Sequence, residues 1–363
     1  MKVHLVAAAR PNFMKIAPLY HQLKEEGWCT PIVIRGAQHY SDEMSGVFLQ
    51  DLGLIEPHVY LAAARGTTHA EQTGNTMIAY EAVCVAERPD VIVVPGDVNA
   101  TLACALVGAK LGIPVVHLEA GLRSFDRSMP EEINRIATDA IADVHWVPTK
   151  SDGLNLWNEG IPMNKITCVG NFMIDAFEML RPQIEYEAAL HFGGFKPYVV
   201  ATFHRPSNVD TSARLLTICH QLGRISRDVR VIFPVHPRTR KQLQPEMLKA
   251  LEAVQLEDPM PYVEFMGLVY NAQCVVTDSG GVQEETSYLG IPCVTVRENT
   301  ERPVTLQLGT NRLSRIEEIE MDWDEARQVG RQKVVIPYWD GCAAERAALD
   351  LRTRFALRNQ KAA

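Results

Sequence analysis

The chain has 363 residues, 47% of them apolar and 22% charged, with a formal net charge of −8. That is a globular composition with enough length for two domains, and its acidic balance argues against nucleic acid or an anionic membrane surface as the main partner. A small phosphorylated ligand stays open, since it needs only a few local cations and backbone amides. The eight cysteines, at 29, 84, 104, 168, 219, 274, 293 and 342, form no CxxC or Cys/His cluster, so they are expected as buried free thiols in a reducing cytoplasm, with no metal and no cofactor. The opening run "VHLVAAA" is too short for a signal sequence, and no run approaches the length of a membrane span. The expectation is a cytoplasmic protein without membrane insertion.

In chain order, "KVHLVAAA" (2–9) is expected as a strand. A helix follows from Pro11, with Phe13, Ile16, Leu19, Tyr20 and Leu23 at helical spacing. "PIVIRG" (31–36), "DVIVVPGD" (90–97), "IPVVHLEAG" (113–121) and "DVHWVPT" (143–149) then read as strands separated by helical segments. Their continuous Val/Ile character indicates strands buried on both faces, hence a parallel sheet. After "HFGGFKP" (191–197), a linker or turn, the pattern restarts with "YVVATFHRP" (198–206), "VRVIFPVHP" (229–237), "YVEFM" (262–266), "QCVVTDSGG" (273–281) and "IPCVTVREN" (291–299). Both halves open with a strand running into Arg-Pro, and both place an aspartate, Asp97 or Asp278, at a later strand end. The expected fold is α/β: two Rossmann-like doubly wound domains facing each other across a cleft. They span 1–180 and 190–338, and a helical segment, 339–363, could cross back to the first.

Polar residues gather at the strand ends. Asp278-Ser279-Gly280-Gly281 lets a backbone approach a ligand closely at a helix start, although a plain turn with Ser279 as N-cap accounts for it equally well. Glu284 and Glu285 follow in the first helical turn, where carboxylates are favoured with no function at all. Asp97, Glu119 and Glu131 are three acids on loops of the first half, with Arg123 and Arg135 close in sequence. One such acid is ordinarily a cap or a salt-bridge partner; three together suit proton transfer, because crowded carboxylates push one another's pKa apart. Arg10, Lys15, His204, Arg205, His236 and Arg238 supply cations able to neutralise a leaving diphosphate. For Lys15 and His236 a solvated surface position is the plain alternative.

Taken together, "ARPNFMKIAP", "AQHYSDEM", "PGDVNATLA", "HLEAGLRSFDRSMPEEINR", "TFHRPSNVD", "FPVHPRTRK", "TDSGGVQEE", "LGIPCVTVRENTERP" and "WDGCAAERA" resemble the non-hydrolysing UDP-N-acetylglucosamine 2-epimerases over almost the whole chain. The resemblance implies a GT-B-like fold with UDP held mainly by the second domain. It implies interconversion with UDP-N-acetylmannosamine by elimination of UDP to a 2-acetamidoglucal and re-addition. By motif, Asp97, Glu119 and Glu131 become the proton-transfer residues and Lys15 positions the sugar or a carboxylate. His204 and Arg10 stabilise the departing diphosphate, while Ser279, Gly280 and Gly281 bind its phosphates. Glu285 takes the ribose hydroxyls, Arg302 the sugar side, and Arg135 and His236 complete the substrate-binding set. The family also implies a homodimer.

The sequence departs from the family at Ala8 and Asn12-Phe13, and Ser41 stands where many members place a glutamine that holds an activating second UDP-sugar. Weak or absent activation by substrate is therefore expected. "RPNFMK" and "AQHYSDEMS" also resemble members acting on UDP-2,3-diacetamido-2,3-dideoxy-glucuronic acid, which leaves the C3 and C6 substituents open. The rivals are a hydrolysing epimerase, a GT-B glycosyltransferase and a UDP-sugar-binding regulator without turnover.

Overall fold

The computed structural model describes residues 1–36, 49–54, 59–61, 66–192, 194 and 196–356. Ser41 and the rest of 37–48 lie outside the described residues. The chain divides into two compact units, Met1–Met179 with Pro337–Ala363, and Leu180–Ile336.

The strands of the first unit are β1 Lys2–Ala7, β2 Thr30–Gly36, β3 Val59–Leu61, β4 Val91–Pro95, β5 Val115–Leu118, β6 Val144–Val147 and β7 Ile166–Cys168. Among the described residues they form one parallel sheet in the order β3-β2-β1-β4-β5-β6-β7. The apolar runs of β4 and β5 are buried throughout, because helices cover both faces. Ile34, Ile92, Val94 and Val115 pack with Tyr80 and Cys104 from two of those helices.

The second unit contains β8 Tyr198–Thr202, β9 Arg230–Pro234, β10 Gln255–Glu257, β11 Cys274–Thr277, β12 Cys293–Val296 and β13 Asn311–Ser314. They too are parallel, in the order β10-β9-β8-β11-β12-β13. Phe203, Phe233, Leu222 and Trp323 lie in their core. Both orders follow the doubly wound 3-2-1-4-5-6 pattern, which reverses direction between the first and fourth strands. That switch point lies between β1 and β4 in one unit and between β8 and β11 in the other. Ligands of such sheets bind beyond the carboxyl ends of the strands there.

One sequence expectation changes. "YVEFM" is not a strand: Tyr262–Tyr270 is a helix whose N-cap position is Pro261, and the neighbouring strand is β10. A short apolar run carries too little periodicity to separate the two states, and the proline supplies the helix start. The packing boundary lies between Met179 and Leu180 in the helix Phe172–Glu187. The later part of that segment is tied to the second unit, where Tyr270 donates to Glu185 (3.0 Å) and Asn271 Nδ2 to the Ala188 carbonyl (2.9 Å). At the far end, the helix Ala343–Leu351 joins the first unit: Asp175 accepts from the Ala343 and Ala344 amides at 3.1 and 2.7 Å. All eight cysteines are free thiols, and no helix among the described residues is long and apolar enough to cross a membrane.

Candidate active site

In the first unit the switch point is lined by the turns after β1, β4 and β5. Arg10 opens the helix Arg10–Glu26, and Pro11, with its fixed φ, starts it. Asn12 closes the turn by accepting from the Ala9 amide (3.0 Å) while its Nδ2 donates to the Pro95 carbonyl (3.3 Å), which ties the β1 and β4 ends together. One helical turn on, Lys15 is buried and ion-paired to Glu119. The solvated position considered for Lys15 is thus excluded. Glu119 follows β5 with φ +66°, a conformation costing a side-chain-bearing residue about 1–2 kcal/mol and found where surrounding contacts enforce it. Gly96, also at φ +66°, leaves room for this pair: a Cβ there would lie 3.4 Å from Lys15 Nζ, 3.5 Å from Asn12 Nδ2 and 3.7 Å from Glu119 Oε2.

Asp97, next to Gly96, is partly exposed and paired to the buried Arg135. Arg135, expected among the substrate-binding residues, donates to Glu132 (Nε 3.0 Å, Nη2 2.7 Å) as well as to Asp97. Its geometry is that of a holder for Asp97. The Asp97 carbonyl accepts from Asn134 Nδ2 at 2.8 Å. Glu131 and Glu132 open the helix Pro130–Ile141 and go different ways. Glu132 is buried and accepts from the Ser124 and Phe125 amides at 3.0 and 2.9 Å. Burial alone would raise its carboxyl, but the Ser124 amide and Arg135 hold it below the ordinary carboxylate range. Glu131 is exposed, with no hydrogen bond or ion pair among the described residues. The two carboxylates at strand ends therefore each have a cation, Asp97 with Arg135 and Glu119 with Lys15, and Glu131 stands free beside them in sequence.

In the second unit, Asp278 at the end of β11 is fully buried and organises the turn after β8. It accepts from the His204 amide (3.1 Å), the Arg205 amide (3.0 Å) and Asn208 Nδ2 (3.2 Å), and lies 3.3 Å from His204 Nδ1. His204 and His236 have ring centroids 5.5 Å apart. His236 Nδ1 accepts from the Arg238 amide (3.2 Å), so its other nitrogen carries the hydrogen. Burial, and then the Arg205, Arg238 and Arg297 guanidiniums, lower the His204 imidazole against the pull of Asp278. Ser279 occupies the N-cap position of the helix Gly280–Leu289 without capping it, leaving the helix start open. Arg302 lies across Gly280: a Cβ there would sit 2.9 Å from Arg302 Nη1 and displace that side chain. Arg302 pairs with Glu284 (2.9 Å) and Glu301 (2.5 Å), and Glu301 also takes Arg297 (2.8 Å) and faces Arg205 (3.7 Å). Burial alone would raise Glu301, yet these arginines hold it far below the carboxylate range. Burial and the charge of Arg297 in turn depress the Arg205 guanidinium. Arg297 Nη1 is buried with no hydrogen-bond partner among the described residues. A helix start, crowded guanidiniums and an unmet donor make an anion-binding arrangement. Sequence reading passed over Arg297 and Glu301; their spacing after β12 in "VRENTERP" was the available signal.

Glu285 is buried and accepts from the Tyr262 hydroxyl at 2.6 Å. Burial pushes its carboxyl up to about 8 against the Tyr262 hydrogen bond, with Glu284 adding to the rise. Between the ordinary value of 4.5 and about 8, the folded protein keeps a proton that the unfolded chain has lost, so stability falls as pH rises through that window. Glu285→Gln is expected to melt several degrees above the parent at pH 8 and to lose that advantage at pH 4. A melting difference independent of pH would contradict the buried neutral carboxyl.

No group of three or more His, Cys, Asp or Glu among the described residues is arranged to hold a metal ion. The sequence profile of the family described as UDP-N-acetylglucosamine 2-epimerase matches residues 21–352. The UDP-N-acetylglucosamine 2-epimerase of Methanocaldococcus jannaschii is 42% identical over 324 residues, 86% of this chain and 87% of that protein. The UDP-2,3-diacetamido-2,3-dideoxy-D-glucuronate 2-epimerase of Pseudomonas aeruginosa is 39% identical over 316 residues, with the same coverage. A crystal structure of the M. jannaschii enzyme in complex with UDP-GlcNAc and UDP superposes with a TM-score of 0.86 at 38% identity, covering 97% of this chain and 100% of that one. The two parallel sheets are those of a GT-B-like α/β fold, and the chain belongs to the UDP-N-acetylglucosamine 2-epimerase family.

Proposed function

We propose that this protein interconverts UDP-N-acetylglucosamine and UDP-N-acetylmannosamine. A carboxylate removes the C2 proton, the C–H electron pair becomes the C1=C2 bond of a 2-acetamidoglucal, and the C1–O bond breaks with its pair leaving on UDP. A second acid then delivers a proton to the opposite face of C2 while a UDP oxygen re-forms the bond at C1. The observation that carries this reading is the pair of cation-held carboxylates, Asp97 and Glu119, on adjacent turns at the switch point of the first unit. Asp97, Glu119 and Glu131 are the proton-transfer residues, with Lys15 and Arg135 setting the positions of Glu119 and Asp97. Ser279, Gly280 and Gly281 take the phosphates, aided by His204, His236 and Arg10; Arg297 joins them through its unmet donor. Glu285 takes the ribose diol and Arg302 the sugar side. The domains run over 1–180 and 190–338 with a returning segment 339–363. The protein works in the cytoplasm as a homodimer and feeds cell-envelope polysaccharide synthesis.

A second reading, 2-epimerisation of UDP-2,3-diacetamido-2,3-dideoxy-glucuronate, is favoured by the P. aeruginosa relative, whose identity is close to that of the M. jannaschii enzyme. Incubation with UDP-N-acetylglucosamine in deuterated water, followed by NMR, separates the readings. Deuterium at C2 in intact UDP-sugars of both configurations is expected. Free sugar would mean hydrolysis, and no exchange would pass the assignment to the diacetamido substrate or to a transferase.

A further inference from the structure

Behind the acid-bearing turns of the first unit lies a buried chain of polar contacts centred on Asp139, which belongs to neither proton-transfer nor substrate-binding residues. Asp139 is 1% exposed and His117 0%. His117 sits on β5 with its ring between two acceptors. Its Nε2 donates to the Gly96 carbonyl (2.8 Å), which can only accept, and its Nδ1 faces Asp139 Oδ1 at 2.6 Å. The other Asp139 oxygen accepts from the Gly121 amide (3.2 Å) and pairs with Arg123 at 2.8 Å. Arg123 is anchored by Glu159 through Nε (2.7 Å) and Nη2 (2.6 Å).

One carboxylate thereby fastens both turns. Through His117 it fixes the carbonyl immediately before Asp97, and through the Gly121 amide it fixes the turn two residues beyond Glu119. Gly121 has φ +80° and no room for a side chain, since a Cβ would lie 2.3 Å from the Asp152 carbonyl oxygen. Burial alone would raise the Asp139 carboxyl, but His117 and Arg123 hold it below the ordinary range, so the anchor stays charged. A burial this deep costs several kcal/mol per ion, a cost offset here by the Arg123 guanidinium, the Gly121 amide and the His117 ring.

We infer that Asp139 and His117 are positioning residues that hold Asp97 and Glu119 at a fixed separation for the two proton transfers. This rests on the epimerase reading of those carboxylates. Proton transfer is sensitive to displacement: a misplacement of about 1 Å costs on the order of 100-fold in rate. The test uses the full chain, with epimerisation kinetics and C2 deuterium exchange of UDP-N-acetylglucosamine and calorimetric binding of UDP. Asp139→Asn is expected to lower kcat by about 10- to 100-fold while KM and UDP affinity move by less than about threefold. His117→Gln, which keeps a donor for the Gly96 carbonyl, is expected to retain clearly more kcat than His117→Leu; this pair carries the test if Asp139→Asn does not fold. An unchanged kcat in Asp139→Asn, or equal kcat in the two His117 variants, overturns the inference. Asp97→Asn measured alongside separates the two claims. If it still exchanges at the parental rate, the proton-transfer reading falls and this inference with it. If it is inactive while the Asp139 and His117 variants are unimpaired, the positioning role alone falls.

Discussion

Asp97→Asn is expected to abolish C2 deuterium exchange, with kcat down by about 10²–10⁴-fold, the span that a positioned general acid or base contributes. The amide preserves shape but cannot take a proton. Arg135 keeps its two hydrogen bonds to Glu132, and Glu132 keeps the Ser124 and Phe125 amides that tie the helix Pro130–Ile141 to the preceding loop, so the fold should persist. UDP affinity is expected to stay near the parental value, because all the proposed phosphate and ribose contacts except Arg10 belong to the second unit. Exchange at an undiminished rate would remove Asp97 from the chemistry. A collapse of UDP affinity would make it a binding residue.

Asp278→Ala is expected to do damage of a different kind. It strands the part-buried His204 and Arg205 amides, takes one of two acceptors from Asn208 Nδ2, and withdraws a negative charge from beside the His204 imidazole. Removing one partner of a buried charged network costs about 3–5 kcal/mol. Thermal melting should show that loss, and calorimetry should show UDP binding weakened at least about tenfold, since the turn carrying His204 and Arg205 loses its shape. Asp278→Asn, which keeps one acceptor oxygen, should fall between. Full UDP affinity in a clearly destabilised Asp278→Ala protein would confine the turn to a structural role.

The central strands were legible in the sequence because they are buried on both faces, and burial forces unbroken Val/Ile runs such as "VIVV" in β4. The edge strands β3, β7, β10 and β13 were not. They are three or four residues long and only partly buried, so no apolar run marks them. The strand-end acids and cations were visible because a doubly wound sheet puts its ligand there whatever the chemistry. What sequence could not separate was Glu131 from Glu132, adjacent residues of one type that the helix turns to different surroundings. Nor could spacing reveal the networks of Asp139 with His117, or Asp278 with His204. Their members are 22 and 74 residues apart and meet only once the sheets have formed.

The return of Ala343–Leu351 to the first unit has a consequence for how the protein is made. Domains ordinarily fold in the order of synthesis, N-terminal first. Here the second unit is one continuous stretch, Leu180–Ile336, whereas the first also needs the segment that follows it from Pro337. The Asp175 carboxylate can meet the Ala343 and Ala344 amides only after the entire second unit has been synthesised. The unit translated first is thus the last to be completed, and during translation the half proposed to bind the nucleotide is finished ahead of the half proposed to do the chemistry.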